Sequence, residues 1–235
     1  MLALLHTSPV HVPVFDALRD AAHPGLELRH HVDAGLLERA RAEGPGAVAD
    51  AVAAVLGRVV AEGAGAVLCT CSTIGGVAEE AAVRAGVGVP VLRVDRPMAA
   101  AAVASGPRVL VLAALESTLA PTVALIEEEA RRASRPVTVR TRLVDGAWPR
   151  FEAGDTEGYL RRVTEAADSV TGADVIVLAQ ASMAPAGERA KARVPVLASP
   201  APGLAAAAVA ARLGHPLGSG APSGSGSGHP GPVNP

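Results

Sequence analysis

Two cysteines, Cys69 and Cys71, lie in the segment Val67-Leu68-Cys69-Thr70-Cys71-Ser72-Thr73-Ile74-Gly75-Gly76. The run passes from apolar residues to hydroxyls to glycines, the pattern of a buried strand feeding a loop and then a helix. Cys71 falls just past the strand, ahead of a helix expected to start near Gly75 or Gly76. A helix N-terminus there favours the thiolate, and a thiolate can abstract a proton from carbon or attack it. Cys69 falls inside the strand and reads as a small buried residue. No histidine pair stands at zinc spacing from the two thiols, so no metal site is expected. The glycine-rich stretches match neither a P-loop nor a dinucleotide fingerprint.

Other expected strand ends carry hydroxyls. The first apolar run ends in His6-Thr7-Ser8-Pro9, and later ones lead to Glu116-Ser117-Thr118, to Gln180-Ala181-Ser182 and to Ser199. Hydroxyls and the amides of following helices suit a carboxylate or another small oxyanion. Thr73, Thr118 and Ser182 serve equally well as helix N-caps. Glu116 is a carboxylate at the expected cleft edge, a candidate acid or base, and it also suits a helix N-terminus. His6 has no evident partner nearby and reads as structural or solvent-facing.

The elements that must position these residues alternate along the chain. Apolar runs at 2–5, 26–32, 67–69, 91–94, 109–112, 137–144, 175–178 and 196–197 read as strands. Helical patterns fall at 46–62, 76–85, 98–105, 118–132, 156–169 and 203–212. Nearly continuous apolar strands between helices predict parallel sheets covered on both faces. An internal repeat divides them. Gly63-Ala64 before the first thiol-bearing strand matches Gly172-Ala173 before the run 175–178. A Val-Pro-Val-Leu run recurs at Val89 and Val194, and an Ala-Ala-Ala-Ala-Val-Ala run at Ala99 and Ala205. The offset stays between 105 residues, from Val89 to Val194, and 109, from Gly63 to Gly172. Three matches in one order predict an α/β protein of two similar, pseudosymmetric lobes, each a mostly parallel sheet flanked by helices, with a cleft between them. The first lobe is expected over residues 1–97 with 201–213 packing back on it, and the second over 98–200. Residues 214–235, mostly glycine, proline and serine, read as a disordered tail. Ligands of such sheets bind beyond the carboxyl ends of the strands, where the residues above lie.

Composition narrows the function. The 235 residues are 49% hydrophobic and carry a net charge of −2, which excludes a mostly disordered chain and a broad basic field for nucleic acid or a membrane surface. Aromatic residues at 2% argue against stacking platforms for single strands. No unbroken apolar stretch approaches membrane-spanning length, and the apolar N-terminus lacks the basic region of a secretory signal. The cytoplasm, where thiols stay reduced, is the expected compartment.

Over about residues 1–212 the sequence resembles the aspartate/glutamate/hydantoin racemase superfamily, which is related to maleate isomerases and arylmalonate decarboxylases. The resemblance rests on Leu4-Leu5-His6-Thr7, on the Cys71-Ser72-Thr73 loop, which is similar to the family's Cys-Asn-Thr, and on Val89-Pro90-Val91-Leu92-Arg93-Val94-Asp95. It rests also on Glu116-Ser117-Thr118-Leu119-Ala120-Pro121-Thr122 and Leu178-Ala179-Gln180-Ala181-Ser182-Met183. It implies a cofactor-independent racemase or isomerase acting at the carbon next to a carboxylate or carbonyl of a small acid. Relatives are commonly homo-oligomers, though this sequence shows no clear interface stripe. Racemases of the family set two cysteines, one per lobe, on opposite faces of the substrate carbon. By this resemblance Cys71 matches the first-lobe cysteine and is the expected catalytic acid/base. Glu116 is a candidate second group, and Thr7, Ser72, Thr73, Ser117, Thr118, Gln180, Ala181 and Ser182 are the expected substrate contacts. The internal register puts Gln180, or at most Ala181, where the second cysteine belongs. A carboxamide cannot exchange protons with carbon at neutral pH. Two-base racemisation therefore fails unless Glu116, Ser182 or a water substitutes. One thiol still serves a cis-trans isomerase or a decarboxylase, and a small-acid binding protein without turnover is the non-enzymatic alternative.

Overall fold

The computed structural model describes residues 1–213, so the expectation for the tail, residues 214–235, lies outside the described residues. Two four-stranded parallel sheets form the molecule. The first contains β1 (Leu2–His6), β2 (Leu28–Val32), β3 (Ala66–Cys69) and β4 (Val91–Arg93) in the order β2-β1-β3-β4. The second contains β5 (Arg108–Ala113), β6 (Thr138–Leu143), β7 (Val175–Leu178) and β8 (Val196–Ala198) in the order β6-β5-β7-β8. The matching orders make the two lobes pseudosymmetric. β1, β3 and β7 are buried along their whole length, the expected state of central parallel strands with helices on both faces.

The helices are α1 (Val12–Ala22), α2 (Ala34–Glu43), α3 (Ala49–Ala61), α4 (Gly75–Arg84), α5 (Arg96–Ser105), α6 (Leu119–Arg132), α7 (Ala147–Glu152), α8 (Thr156–Asp168), α9 (Ala184–Arg189) and α10 (Pro200–Leu213). In α3, Val52, Val55, Leu56 and Val59 recur at helical spacing and are all buried. In α8, Asp155 caps the N-terminus by accepting from the Gly158 amide at 2.9 Å, and Tyr159, Leu160, Val163 and Ala167 face the core. The repeated glycines have a physical reason. Gly63 and Gly172 both adopt positive φ, +92° and +69°, in the turns that enter β3 and β7.

The helices α1, α2, α7 and α9 fall in stretches to which the sequence reading assigns no helix. Pro13 sits near the start of α1, and α7 and α9 are six residues each, too short for a helical period to show. Packing crosses between the lobes. α5, which follows β4, buries Met98, Ala99, Ala102 and Val103 with Val109, Val111, Val175 and Val177 of the second sheet. α10, which follows β8, buries Leu204, Ala207 and Ala211 with Leu2, Leu4, Ala66 and Leu68 of the first.

Candidate active site

Strand order 2-1-3-4 reverses direction between β1 and β3, and ligands of open parallel sheets bind at such a switch point. Thr7 follows β1 and Cys71 follows β3, so both stand there; the second lobe brings Ala114 and Gln180 to the same place. A narrow cavity of about 50 Å³ lies between them. It is lined by Thr7, Cys71, Ser72, Thr73, Thr118, Gln180, Ala181 and Ser182, all expected, by Ser8 and Thr70 of the same strand ends, and by His11, Leu37, Leu115, Trp148 and Phe151, which sequence reasoning missed.

The thiol loop is built so that polar groups gather around Cys71. The Thr7 and Thr73 side chains and the Thr73 and Ile74 amides lie around Cys71 and favour its thiolate. The amides belong to the turn that opens α4, so the helix N-terminus faces the sulfur. Burial pushes the Cys71 thiol above its ordinary pKa, and these groups pull the other way. Burial raises Cys69 as well; it is wholly enclosed and donates to the Cys71 carbonyl oxygen at 3.7 Å, a structural role.

Beneath the loop lies an ion pair. Arg93, 5% exposed, donates to Asp95 Oδ1 at 2.7 Å and Oδ2 at 3.0 Å, and reaches the Ser72 and Pro121 carbonyl oxygens at 3.5 Å. The helix start packs directly on it. A Cβ at Gly75 would stand 2.9 Å from Arg93 Cβ, so a side chain there displaces the arginine or the loop.

His6 is fully buried, not solvent-facing, and its partner comes from the neighbouring strand. The Thr70 hydroxyl gives its proton to the Leu5 carbonyl oxygen at 3.1 Å, so its oxygen accepts from His6 Nδ1 at 2.8 Å. His6 Nε2 then accepts from His30 Nδ1 at 2.8 Å, and His30 Nε2 lies 3.3 Å from Asp16 Oδ1. Burial, reinforced by His30, His11 and His31, pushes His6 down to about 3. Burial pushes His11, beside the cavity, down to about 4.

The second lobe contributes hydrogen-bonding frame and an apolar wall. Gln180 Oε1 accepts from the Ala114 amide at 2.8 Å, and Nε2 donates to the Leu115 carbonyl oxygen at 3.2 Å and to Thr118 Oγ1 at 2.8 Å. Ser182 Oγ is bonded to the Tyr159 hydroxyl at 2.8 Å. The Trp148 and Phe151 rings stack with centroids 5.0 Å apart, and Phe151 tilts against Tyr159 at 5.3 Å. Three of the chain's four Phe, Trp and Tyr residues thus gather at one wall of the cavity. In a chain so poor in aromatics, that grouping was the available signal for Trp148 and Phe151. His11 and Leu37 lie in or beside α1 and α2, to which the sequence reading assigns no helix. Arg41 of α2 crosses the roof, its guanidinium 5.8 Å from the Trp148 ring centroid and 3.5 Å from Glu152.

Two expected site residues do not line the cavity. Glu116 is exposed, because the 3-10 turn Glu116–Thr118 brings residues three apart to one side; Leu115 and Thr118 point in and Glu116 points out. Ser117 is half-buried outside the lining, and its Oγ has no partner. Ser72 does line the cavity, is 5% exposed, and its Oγ also has no partner, which leaves a hydroxyl available to a ligand.

Comparison with known proteins agrees with this architecture. The Asp/Glu/Hydantoin racemase family matches residues 10–211. The chain belongs to that family, whose members are isomerases of the racemase type acting on small acids. Among solved structures it is similar to the glutamate racemase of Francisella tularensis in complex with D-glutamate, at 10% identity and a TM-score of 0.66 over 86% of this chain and 77% of that one. It is similar to the aspartate racemase of Picrophilus torridus, at 15% identity and 0.64 over 91% and 93%. It is also similar to a glycine-to-cysteine variant of arylmalonate decarboxylase in its sulfate-associated form, at 22% identity and 0.62 over 94% of each chain. No curated protein matches in sequence. Among the described residues no helix is long and apolar enough to cross a membrane.

Proposed function

We propose that this protein catalyses cofactor-independent proton transfer at the carbon next to the carboxylate of a small acid, from one face, with Cys71 as the acid/base. The observation that carries the reading is the Cys71 sulfur lining the cavity among the hydroxyls and amides of the loop that opens α4, opposite a carboxamide. A thiol held neutral by burial is ready to give its proton to an enediolate carbon, and these groups then stabilise the thiolate left behind. In a decarboxylation, the C–C bond breaks, carbon dioxide leaves, the electron pair spreads into the remaining carboxylate, and the Sγ proton goes to carbon. Water then reprotonates the sulfur. An isomerisation begins with the reverse transfer or with sulfur adding to an activated double bond. Gln180 supplies no second proton on the far face, so symmetric racemisation is disfavoured.

The lining also bears on the substrate. No lysine, arginine, aspartate or glutamate is among the lining residues. A carboxylate must therefore be held by the Ser72 hydroxyl, other hydroxyls and loop amides. Leu37, Leu115, Trp148 and Phe151 face them with apolar surface. This favours an acid with an apolar or aryl substituent over one with a second charged group in the substituent. The cytoplasm remains the expected compartment.

A panel of malonates, mono- and dicarboxylic acids, hydantoins and amino acids followed by NMR in deuterated water tests the reading. Deuterium should appear at the α-carbon of one acid class and vanish in Cys71→Ala. A proton donor loses rate as pH rises through its raised pKa, whereas a thiolate base gains rate. Undiminished exchange in Cys71→Ala would sink the assignment. The binding-protein reading is supported by Gln180 being fully engaged with its own lobe; it predicts saturable binding, no exchange, and unchanged affinity in Cys71→Ala.

A further inference from the structure

The cavity beside Cys71 is about 50 Å³, whereas sites that enclose organic ligands run to roughly 300–1,000 Å³. A carbon acid therefore enters only as the walls part. The roof is made of two helices in matching positions, α2 after edge strand β2 and α7 after edge strand β6. Leu37 and Arg41 are one turn apart on α2, and Trp148 and Glu152 are one turn apart on α7, so each pair shares a helix face. Leu37 and Trp148 line the cavity; Arg41 stands outside it and ties the two helices together. Its guanidinium is 5.8 Å from the Trp148 ring centroid, and its Nη1 is 3.5 Å from Glu152 Oε1. The Arg41 and Glu152 side chains are 40% and 52% exposed. An ion pair that long and that open to water exchanges partners readily. Arg39, the other arginine of α2, is engaged within its own lobe, donating to the Ala47 carbonyl oxygen at 2.8 Å and lying 3.9 Å from Glu43. With no charged residue in the lining, Arg41 is the cation at the cavity mouth.

We propose that Arg41 is the entry residue of the cavity: it trades Glu152 for the carboxylate of an incoming small acid while α2 and α7 part, and returns to Glu152 once the acid lies inside. The inference rests on the proposed reading of a small acid brought to Cys71. At the mouth an anion gains the charge partner that the uncharged lining does not offer, and its apolar part meets the Trp148 ring in the same step. Glu152 acts twice in this arrangement. It holds the roof shut through Arg41, and it competes with the ligand for the same guanidinium. Loss of Glu152 therefore favours entry of an anion and loss of Arg41 opposes it, although either change breaks the same roof contact. That opposition of signs separates recognition of a carboxylate from a mechanical latch.

The test compares iodoacetate with its neutral isostere iodoacetamide as alkylators of Cys71, with the adduct located by peptide mass spectrometry so that buried Cys69 does not contribute. Both reagents meet the same sulfur, so the ratio of their rates cancels any change in the thiol itself. Arg41→Gln should lower the iodoacetate-to-iodoacetamide ratio about three- to tenfold, and Glu152→Gln should raise it about two- to threefold. Arg41→Lys should keep most of the parent ratio, and added salt should bring the parent toward Arg41→Gln. Arg39→Gln removes the same charge from the same helix and should leave the ratio in place. A roof that is only a latch would change both rates alike in Arg41→Gln and Glu152→Gln, and that result would overturn the inference. An equal fall of the ratio in Arg39→Gln would overturn it too. A Cys71 inert to both reagents would overturn the underlying reading of the thiol. The lone tryptophan, Trp148, then carries the same comparison through the midpoints of its quenching by phenylacetate and phenylacetamide. A preference for phenylacetate that Arg41→Gln abolishes supports the entry role, and no preference in the parent refutes it.

Discussion

The carboxyl ends of the two sheets share a backbone and differ in chemistry. Leu5 pairs with Cys69 in the first sheet, and Leu112 with Leu178 in the second. The next backbone bond matches as well: the Thr70 amide donates to the Leu5 carbonyl oxygen at 3.0 Å, and the Ala179 amide to that of Leu112 at 2.9 Å. One residue further, His6 and Thr70 stand against Ala113 and Ala179. One further again, Thr7 and Cys71 stand against Ala114 and Gln180. The first lobe keeps polar, proton-bearing groups at all these positions, whereas the second keeps alanines around a single carboxamide. A repeated fold therefore does not imply a repeated role. In the proposed reading one lobe holds the reacting group, and the other holds a donor frame and an apolar wall.

That asymmetry can be broken at its centre. With a substrate identified, Cys71→Ser should lower kcat by about 10²–10⁴, the usual contribution of a positioned acid or base. Gln180→Cys should sharpen the contrast from the other side. It places a thiol in the second lobe, and α-proton exchange followed by polarimetry should show racemisation that the parent lacks.

The support under the first-lobe loop comes next. Arg93→Met leaves Asp95 buried without its partner and should cost about 3–5 kcal/mol in urea unfolding, since breaking one side of a buried pair strands a charge. A variant that unfolds at the parent's midpoint would show that the pair does not hold the loop.

Acid should unfold the first lobe before the second. His6 has a folded pKa of about 3 against an ordinary 6.5, so below pH 6.5 the unfolded chain binds the proton that the folded chain excludes. The stability is fully present above pH 6.5 and is lost as pH falls from there toward 3. The slope from this one proton is at most about 1.4 kcal/mol per pH unit. His11, at about 4, adds a second proton over a narrower window. Hydrogen exchange between pH 7 and 4 should show protection falling first in β1 and β2. Equal loss in both lobes would contradict this. The smallest effect is expected at the roof. Arg41→Ala removes a cation–π contact and a partly exposed ion pair and should cost less than about 1 kcal/mol of stability. The lone tryptophan, Trp148, should report ligand entry by a fluorescence change in both forms.

Much of this was open to reading along the chain. All eight strands were, the central ones as unbroken apolar runs and the edge strands β2 and β6 as mixed, part-exposed stretches, and so was the internal repeat that pairs them. Cys71 and its hydroxyl neighbours stood out because strand ends are where polar residues interrupt those runs. For His6 the structural alternative holds and the solvent-facing one fails; its partner His30 is distant in sequence and adjacent only once β1 and β2 pair. Glu116 was misplaced because a 3-10 turn and an α-helix start look alike in sequence yet turn the same residue in opposite directions. Trp148 and Arg41 come from opposite lobes, and nothing local marks them as neighbours.

The order of apolar and polar residues by itself determined two parallel-sheet lobes and a thiol at a strand end, because burial and hydrogen bonding act on each short segment in much the same way wherever it sits. The tertiary structure alone decided which groups face one another across the cleft: Thr118 toward Thr73, Gln180 toward its own lobe, Glu116 toward water. Those pairings depend on how the two sheets are apposed, and distances between residues forty or more positions apart are set by packing rather than by any local pattern.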